Sequence, residues 1–382
     1  MQVFNRRIQK ALDERREKGL FRQISVLEGG NQSRLRKDES EYVNFSNNDY
    51  LGLASEPELV KAWQKGLSDY GVGSGASPLV TGFSPAHQML EETLCEWLGY
   101  EKAVLFNSGF SANQAALFSL LEKQDTLIQD KLNHASLMEA GMLSPATMRR
   151  FRHNDTEHLN QLLTASSQAL VVTEGVFSMD GDRATLQAIS AQCTASESWL
   201  MVDDAHGIGV LGGKGAGSCS EAGIKPELLV VTFGKAFGLS GAAIMCSKDL
   251  GDYLVQFARH HVYSTAMPPA QAYTLACAAK LIQSQQWRRD KLAELQMVYK
   301  ETLSGSEGYL DTDTPIKPYI CGDADKAVAM AESLRSQGFW VSAIRPPTVP
   351  SGSARLRITL TANHSASEVN SLCQAILKLR SR

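Results

Sequence analysis

The sequence predicts an α/β fold with a mostly parallel central sheet flanked by helices, followed by a smaller α+β domain at the C-terminus. Three apolar runs carry this prediction: ALVV at 169–172, WLMV at 199–202 and LLVV at 228–231. Short continuous apolar runs are typical of strands that are buried on both faces of a parallel sheet. The polar residues that end the three runs are spaced 29 residues apart, close to the length of one strand, crossover helix and return strand.

Other periodic segments predict the rest of the fold. Further strands of the sheet are predicted at 102–106, 126–129 and 241–247, and helices at 56–69, 86–98 and 183–195. A short strand at 42–46 precedes them, and the first residues form a short amphipathic helix. Near the C-terminus we expect helices at 281–304 and 324–336, strands at 339–344 and 354–361, and a last helix from about 366. Ser365 and Glu368 have the spacing of a capping box for that helix.

The length and the change of pattern predict three parts. A chain of 382 residues is long for a single hydrophobic core. The regular strand spacing ends near residue 280. We therefore expect an N-terminal helical arm and strand (1–45), a large ligand-binding α/β domain (46–280) and a small α+β domain (281–382).

Composition excludes several classes of protein. Hydrophobic residues make up 43% and charged residues 21%, which is ordinary for a soluble globular protein. The net charge of −3 is spread along the chain, which argues against nucleic-acid binding, and no apolar run is long enough for a membrane span. The charged start is not a secretory signal. Seven Cys without a C-x-x-C pair or zinc-type spacing indicate reduced thiols in a cytoplasmic protein and no metal site.

Polar groups that follow the three apolar runs are the candidate site. They are Glu174 and Ser178, Asp203 and His206, and Thr232 and Lys235. In open α/β sheets, ligands bind beyond the carboxyl ends of the strands. We therefore expect an acid, an imidazole, a hydroxyl and an amine to converge around one crevice.

Lys235 and Asp203 carry the most specific chemistry. Lys235 lies between Gly234 and Gly238, with no nearby acid in the sequence, so partial burial would lower its pKa and give the neutral amine that Schiff-base formation needs. The alternative is a lysine that extends to the surface. Asp203 ends a buried strand and needs a positive partner, which a pyridinium nitrogen, a metal or an arginine could supply. A structural ion pair remains the alternative there.

Two further segments suggest contacts with a flat, phosphorylated ligand. His134 follows the strand at 126–129 and could stack on a planar ring, or it could be a cap or a hydrogen-bonded core histidine. The segment 107–111 (NSGFS) precedes a helix whose free N–H groups would attract phosphate, and Thr232 could add its hydroxyl. An ordinary N-cap explains the same segment.

A glycine pattern at 207–212 (GIGVLG) matches the dinucleotide fingerprint but lacks its context. The fingerprint requires a helix immediately afterwards, and the following GKGAGS is a poor helix former. A nicotinamide or flavin dehydrogenase is therefore disfavoured. The sequence also has no serine-hydrolase elbow and no P-loop.

Nine motifs in order resemble the α-oxoamine synthases, pyridoxal-phosphate enzymes of the aspartate-aminotransferase-like fold. The motifs are NFSNNDYLGL (44–53), GSGASPLVTG (73–82), NSGFSANQ (107–114), NHAS (133–136), TEGVFSMDGD (173–182), VDDAHGIG (202–209), TFGKAFG (232–238), YSTAMPP (263–269) and RPPTVPSGSARLRITLTANH (345–364). The resemblance covers nearly the whole chain. It implies that pyridoxal 5'-phosphate is the cofactor.

The resemblance also implies a role for each matching residue. Lys235 would carry the cofactor, Asp203 would keep its pyridine nitrogen protonated, and His134 would stack on the ring. The remaining cofactor residues would be His206 and Ser178 near the ring hydroxyl, with Gly109, Phe110 and Thr232. Ser264 and Thr265 resemble a loop that is donated to the phosphate of a partner subunit, which implies a homodimer.

Substrate positions follow in the same way. Arg357 resembles the arginine that grips an amino-acid carboxylate, with Asn48 assisting it, and Arg22 and Thr348 resemble positions near the acyl substrate. FGKAFGLSGA, YSTAMPPAQA and IRPPTVPSG are most similar to the family members that act in biotin biosynthesis. Those members join L-alanine to a pimeloyl thioester, on CoA or acyl carrier protein, with loss of carbon dioxide. The alternatives are a relative such as 2-amino-3-ketobutyrate CoA ligase, an aminotransferase, or a subunit without catalytic activity.

Overall fold

The computed structural model describes residues 2–166 and 168–380. The helices are α1 (Gln2–Glu17), α2 (Pro57–Tyr70), α3 (Pro85–Leu98), α4 (Gly109–Leu120), α5 (Ala135–Leu143), α6 (Thr156–Thr164), α7 (Leu186–Ala195), α8 (Gly217–Glu221), α9 (Lys248–Phe257), α10 (Arg259–Val262), α11 (Pro269–Ser284), α12 (Trp287–Leu303), α13 (Ala324–Ser336) and α14 (Ala366–Arg380). The strands are β1 (Arg34–Lys37), β2 (Ser40–Asn44), β3 (Lys102–Phe106), β4 (Thr126–Asp130), β5 (Thr147–Phe151), β6 (Ala169–Glu174), β7 (Trp199–Asp203), β8 (Leu228–Thr232), β9 (Ala242–Cys246), β10 (Ile316–Gly322), β11 (Phe339–Trp340), β12 (Ser342–Ile344) and β13 (Ala354–Thr359).

A seven-stranded sheet forms the centre of the molecule, in the order β3-β9-β8-β7-β6-β4-β5. Only β9 runs antiparallel to its neighbours β3 and β8, and the other pairs are parallel. All five residues of β8 are buried, as expected for a strand covered by helices on both faces. The predicted fold class is therefore confirmed, and the carboxyl ends of β6, β7 and β8 lie side by side.

Two small three-stranded sheets complete the structure. One has the order β10-β13-β12, and the other pairs β1 and β2 with β11 in the order β1-β2-β11. The second sheet joins residues near the N-terminus to a strand from the C-terminal region, because β2 runs parallel to β11. The division of the chain at residues 45 and 280 remains a proposal.

Several predicted elements differ in detail from the observed ones. The helix predicted at 281–304 is confirmed as α12, but its start was placed too early, because residues 281–284 are the end of α11 and α12 begins at Trp287. The strand predicted at 339–344 is two strands that belong to different sheets. β5 and β10 were not predicted. β10 includes Pro318, which is tolerated because β10 is an edge strand.

The two ends of the chain form the predicted helices. The capping box is confirmed at α14, where Glu368 N–H donates to Ser365 Oγ at 3.2 Å and Ser365 N–H donates to Glu368 Oε2 at 2.8 Å. The N-terminal helix α1 is amphipathic, and Phe4 and Ile8 on its apolar face are exposed. Within the described parts of the chain, no helix has both the length and the hydropathy of a membrane span.

Candidate active site

A cavity of about 290 Å³ lies at the carboxyl ends of β6, β7 and β8. Nine of the residues named in the sequence analysis line it: Asn48, Gly109, Phe110, His134, Glu174, Asp203, His206, Thr232 and Lys235. The parallel strands bring these groups together, because their polar residues follow at the same edge of the sheet. The structure places the residues in one cavity, and their individual roles remain predictions.

Lys235 lies three residues after β8, half-buried in the wall of this cavity. Burial lowers the pKa of its amine, and the negative charges of Asp203 and Glu174 oppose this effect only in part. The ammonium form is therefore less favoured than in a surface lysine. The amine can act as a nucleophile and as a base.

Asp203 ends β7 and is 6% exposed. Its Oδ2 accepts a hydrogen bond from Asn113 Nδ2 at 2.7 Å, and its Oδ1 accepts one from the Ala205 N–H at 3.0 Å. Glu174 lies beside it in register on β6, and burial and the charge of Asp203 raise the pKa of Glu174 well above its usual value. Asp203 therefore presents a side chain that two hydrogen bonds fix at the wall of the cavity.

The next residue, Asp204, serves a different purpose. Ser218 donates to it from its backbone N–H at 2.8 Å and from its hydroxyl at 2.5 Å. Burial raises the pKa of Asp204 to about 7, although these hydrogen bonds oppose the rise. Asp204 does not line the cavity, so this acid holds the segment around Ser218 rather than a ligand.

His206 is buried and hydrogen-bonded to Tyr50, with 2.5 Å between its Nδ1 and the Tyr50 hydroxyl. Burial raises the pKa of Tyr50 to about 12, so the hydroxyl keeps its proton, and we assign it as the donor to Nδ1. Burial, with the charges of Lys235 and Arg357, lowers the pKa of His206 well below its usual value. A neutral His206 with Nδ1 as acceptor carries its proton on Nε2 and can donate it to a ligand.

His134 is fixed from the start of α5. The Ser136 N–H donates to His134 Nδ1 at 3.3 Å, and the Ser136 hydroxyl lies 2.8 Å from the same nitrogen. Burial and the charge of Lys235 lower the pKa of His134, although Asp203 opposes them. The imidazole ring of His134, in its neutral form, lines the cavity.

An anion site lies at the N-terminus of α4, beside the end of β8. The first N–H groups of a helix have no partner within the helix and attract negative charge. Gly109 keeps this end open, because a Cβ there would come within 2.6 Å of Thr232 Cγ2. The Thr232 hydroxyl is buried and has no hydrogen-bond partner among the described residues. These groups are suited to bind a phosphate.

Arg357, on β13, lies beside the cavity and is 7% exposed. Its Nε donates to the Ser178 carbonyl at 2.7 Å, and its Nη1 lies 3.1 Å from Asn48 Oδ1 and 3.2 Å from Thr359 Oγ1. Asn48 also lines the cavity, so it connects the guanidinium to the site. The remaining N–H groups of this planar cation can bind a carboxylate.

The other predicted site residues lie outside this cavity. Ser178 and Thr348 line a neighbouring cavity of about 470 Å³. Ser264 and Thr265 line a small recess next to the main cavity, and Asn107 lines both. Asn107 Nδ2 also donates to the Thr265 carbonyl at 2.9 Å. Arg22 is exposed between α1 and β1 and lines none of these cavities.

Two functional positions were missed in the sequence. Asn113 orients Asp203, and Tyr50 orients His206. Both lie within quoted motifs, NSGFSANQ and NFSNNDYLGL, but the sequence does not indicate that their side chains point at the site. The spacing of Asn113 after Gly109, one turn along α4, was the available signal.

The cavity fits pyridoxal phosphate. It offers a half-buried amine, a buried acid for the pyridine nitrogen, two neutral imidazoles and an anion site with an unpartnered Thr232 hydroxyl. Phosphate would be held at Gly109, Phe110 and Thr232, and the ring between His134 and Asp203. Lys235 would bind the cofactor covalently through its amine.

Comparison with known proteins places this site in a family. The family model "Aminotransferase class I and II" matches residues 40–376, so the chain belongs to that family. It is 65% identical to the 8-amino-7-oxononanoate synthase of Vibrio atlanticus, over 99% of this chain and 94% of the relative, and 63% identical to that of Vibrio cholerae, over 98% and 97%. At this identity the chain also belongs to the family of these synthases.

Solved structures agree with the fold. A serine palmitoyltransferase from Sphingomonas wittichii superimposes with a TM-score of 0.90 at 27% identity, covering 99% of this chain and 97% of the other. An 8-amino-7-oxononanoate synthase from Francisella tularensis superimposes with a TM-score of 0.80 at 29% identity, covering 90% and 99%. The predicted family resemblance is confirmed.

Proposed function

We propose that the protein catalyses the decarboxylative condensation of L-alanine with a pimeloyl thioester. The products are 8-amino-7-oxononanoate, carbon dioxide and a free thiol, and the reaction belongs to biotin biosynthesis. The similarity to curated 8-amino-7-oxononanoate synthases over nearly the whole chain supports the overall reaction. The observation that carries the chemistry is that Lys235 and Asp203 line one cavity, with Arg357 held at its edge through Asn48.

Pyridoxal phosphate supplies an electron sink that lets the Cα proton of a bound amino acid be removed. Lys235 is the base that takes this proton, because burial favours its neutral form. Asp203 would hold the protonated ring nitrogen of the cofactor, and Asn113 fixes the orientation of its carboxyl group. His206, whose Nδ1 is occupied by Tyr50, would donate from Nε2 to the ring hydroxyl of the cofactor.

Arg357 binds the amino-acid carboxylate. Its Nε hydrogen and its two Nη1 hydrogens are used by Ser178, Asn48 and Thr359, which fix the plane of the guanidinium. The free N–H groups then orient the substrate so that its Cα proton faces Lys235. Decarboxylation follows after the acyl group has been joined, and Lys235 can return a proton to the product.

The acyl chain is assigned to the neighbouring cavity of about 470 Å³, which Thr348 and Ser178 line. Apolar side chains, among them Leu132, Phe177 and Leu310, contribute to its wall and suit a pimeloyl chain. Arg22 would contact the carrier part of the thioester. CoA and acyl carrier protein are both compatible with this arrangement.

A homodimer is the proposed assembly. Val72, Val80 and Tyr263 are 82%, 72% and 76% exposed, and Ser264 and Thr265 follow Tyr263 directly. Exposed apolar residues around a loop that adjoins the cofactor cavity support its burial against a second copy of the chain. Ser264 and Thr265 would then contact the phosphate in the partner's site.

A panel assay tests the proposed reaction. Purified protein with pyridoxal phosphate is given alanine, glycine or serine, together with pimeloyl, acetyl or palmitoyl thioesters, and free thiol is measured. We expect the highest kcat/KM for alanine with the pimeloyl thioester. Preference for glycine and the acetyl thioester would instead identify a 2-amino-3-ketobutyrate CoA ligase, and serine with the palmitoyl thioester would match the activity that the Sphingomonas neighbour's name states.

A further inference from the structure

His153 lies outside the cavity that holds Lys235, in the wall of the neighbouring cavity of about 470 Å³, and bridges two carboxylates. It follows β5, and its Nδ1 lies 2.9 Å from Asp130 Oδ1 at the end of β4, while its Nε2 lies 2.7 Å from Asp182 Oδ2. The edge of its ring also packs on the Phe177 ring, with 4.4 Å between centroids. Both nitrogens are therefore engaged at once, by acids from two different segments.

Only a cationic imidazole satisfies this arrangement. Ionised carboxylates accept hydrogen bonds and do not donate, so both ring nitrogens must carry a proton. Burial alone would lower the pKa of His153, but the hydrogen bonds and charges of Asp130 and Asp182 outweigh it and raise the pKa to about 10. Asp130 is fully buried and also accepts from the Leu132 and Asn154 N–H groups, which keeps it in place.

Asp182 belongs to a closed loop, residues 176–183, that follows β6. Val176 and Arg183 form a β-bridge at its base, and inside it Phe177 N–H donates to the Asp182 carbonyl at 2.9 Å. Asn154 adds a second anchor, because its Nδ2 donates to Asp182 Oδ2 at 3.1 Å. The loop is thus attached to β4 and β5 through His153 and its neighbour.

The same loop holds two arginines of β13. The Ser178 carbonyl accepts from Arg357 Nε at 2.7 Å, and Asp180 forms an ion pair with Arg355. A displacement of the loop would therefore remove the acceptor that fixes the plane of the Arg357 guanidinium. It would leave the groups around Lys235 in place, because they belong to α4, α5, β7 and β8.

We propose that His153 is a positioning residue, whose bridge between Asp130 and Asp182 fixes the 176–183 loop and thereby holds Arg357 in the orientation that binds the amino-acid carboxylate. This inference rests on the proposed function for the identity of the substrate. His153 does not line the cavity that holds Lys235, but it lines the neighbouring cavity of about 470 Å³ to which the acyl chain is assigned, so the effect on alanine is measured at a saturating concentration of the pimeloyl thioester. His153 acts through the loop, and its effect falls on substrate affinity rather than on the proton transfer.

The test compares His153→Gln with His158→Gln in the holoenzyme. Gln places one donor and one acceptor between the two acids, so the bridge is lost. His158, whose Nδ1 accepts from the Arg152 N–H at 3.0 Å, lies in the same region without contacting the loop. We expect His153→Gln to raise the KM for alanine about tenfold, with kcat and the cofactor absorbance within twofold of the wild type. His158→Gln should leave all three unchanged.

Further variants separate positioning from a general loss of structure. His153→Lys keeps a cation that can donate to both acids and should recover at least a third of the wild-type affinity for alanine. Asp182→Asn, which removes only the loop's acid, should raise the KM in the same direction and replaces His153→Gln if that variant fails to fold. The proposal would be overturned if His153→Gln and Asp182→Asn both left the KM for alanine unchanged. It would also be overturned if these variants lowered kcat and cofactor binding without raising that KM. If the wild type itself gives no alanine-dependent thiol release, the proposed function fails, whereas the loop's effect can still be measured by alanine titration of the cofactor absorbance.

Discussion

Asp203→Asn is the substitution whose effect follows most directly from the geometry of the site. The side chain is 6% exposed, and its two oxygens already accept from Asn113 and Ala205. An amide of the same shape keeps one of these acceptors and places a donor against Asn113. It also removes the negative charge that faces the pyridine nitrogen of the cofactor, so we expect weaker binding of pyridoxal phosphate.

The magnitude follows from the kind of hydrogen bond that is lost. Hydrogen bonds to charged groups contribute ~1.5–3 kcal/mol and neutral ones ~1 kcal/mol. The difference of ~1–2 kcal/mol corresponds to about 5–30-fold weaker binding of pyridoxal phosphate. The rate should fall further, because the ring nitrogen is no longer held in its protonated form.

Titration of the apoprotein with pyridoxal phosphate, followed by absorbance, measures this affinity. Asp204→Asn is the matched control, since Asp204 bonds to Ser218 and does not line the cavity. The control should bind the cofactor like the wild type. The reasoning would be refuted if Asp203→Asn bound the cofactor within twofold of the wild type, or if both variants lost the same affinity.

Three further outcomes are expected. Arg357→Lys should raise the KM for alanine about 10–100-fold with a smaller change in kcat, because a flexible ammonium cannot keep the three hydrogen bonds that fix the guanidinium and also present Nη2 hydrogens to the carboxylate. Steady-state kinetics would contradict this if the KM stayed within twofold. Gly109→Ala should weaken cofactor binding about tenfold and destabilise the fold by ~1–3 kcal/mol, because the added Cβ meets Thr232 Cγ2 at 2.6 Å. Cofactor titration and thermal unfolding measure the two effects, and wild-type values in both would contradict this prediction. The pKa of Asp204 is raised to about 7 in the folded protein, so folding favours its protonated form and the wild type loses stability as the pH rises from about 4 to about 7. Asp204→Asn should remove that loss of ~3–4 kcal/mol, so the variant should have a higher Tm than the wild type at pH 8 but not at pH 4. A variant with the same Tm as the wild type at pH 8 as well as at pH 4 would argue against this.

The centre of the fold and most of the site could be predicted because parallel strands leave a clear signal. Buried runs such as those of β6, β7 and β8 read as continuous apolar segments, and their following residues must meet at one edge. Glu174, Asp203 and Lys235 therefore converged as expected. The roles given to them by the family resemblance remain to be tested by the variants above.

The elements that were missed lack such signals. β5 has the sequence TMRRF, with Arg149 and Arg150 exposed, because it is an edge strand of the sheet. The break between α11 and α12 falls at Gln285 and Gln286, which are residues that a helix accepts. The bridge through His153 depends on three segments that meet only in the folded chain, so no local pattern could indicate it.

Identification of the lysine that binds the cofactor tests the central claim most directly. The protein is incubated with pyridoxal phosphate, treated with borohydride to fix the cofactor irreversibly on its amine, digested, and analysed by peptide mass spectrometry. The account predicts the added pyridoxyl phosphate group on Lys235. The same group on another lysine, or no stable addition at saturating cofactor, would contradict it.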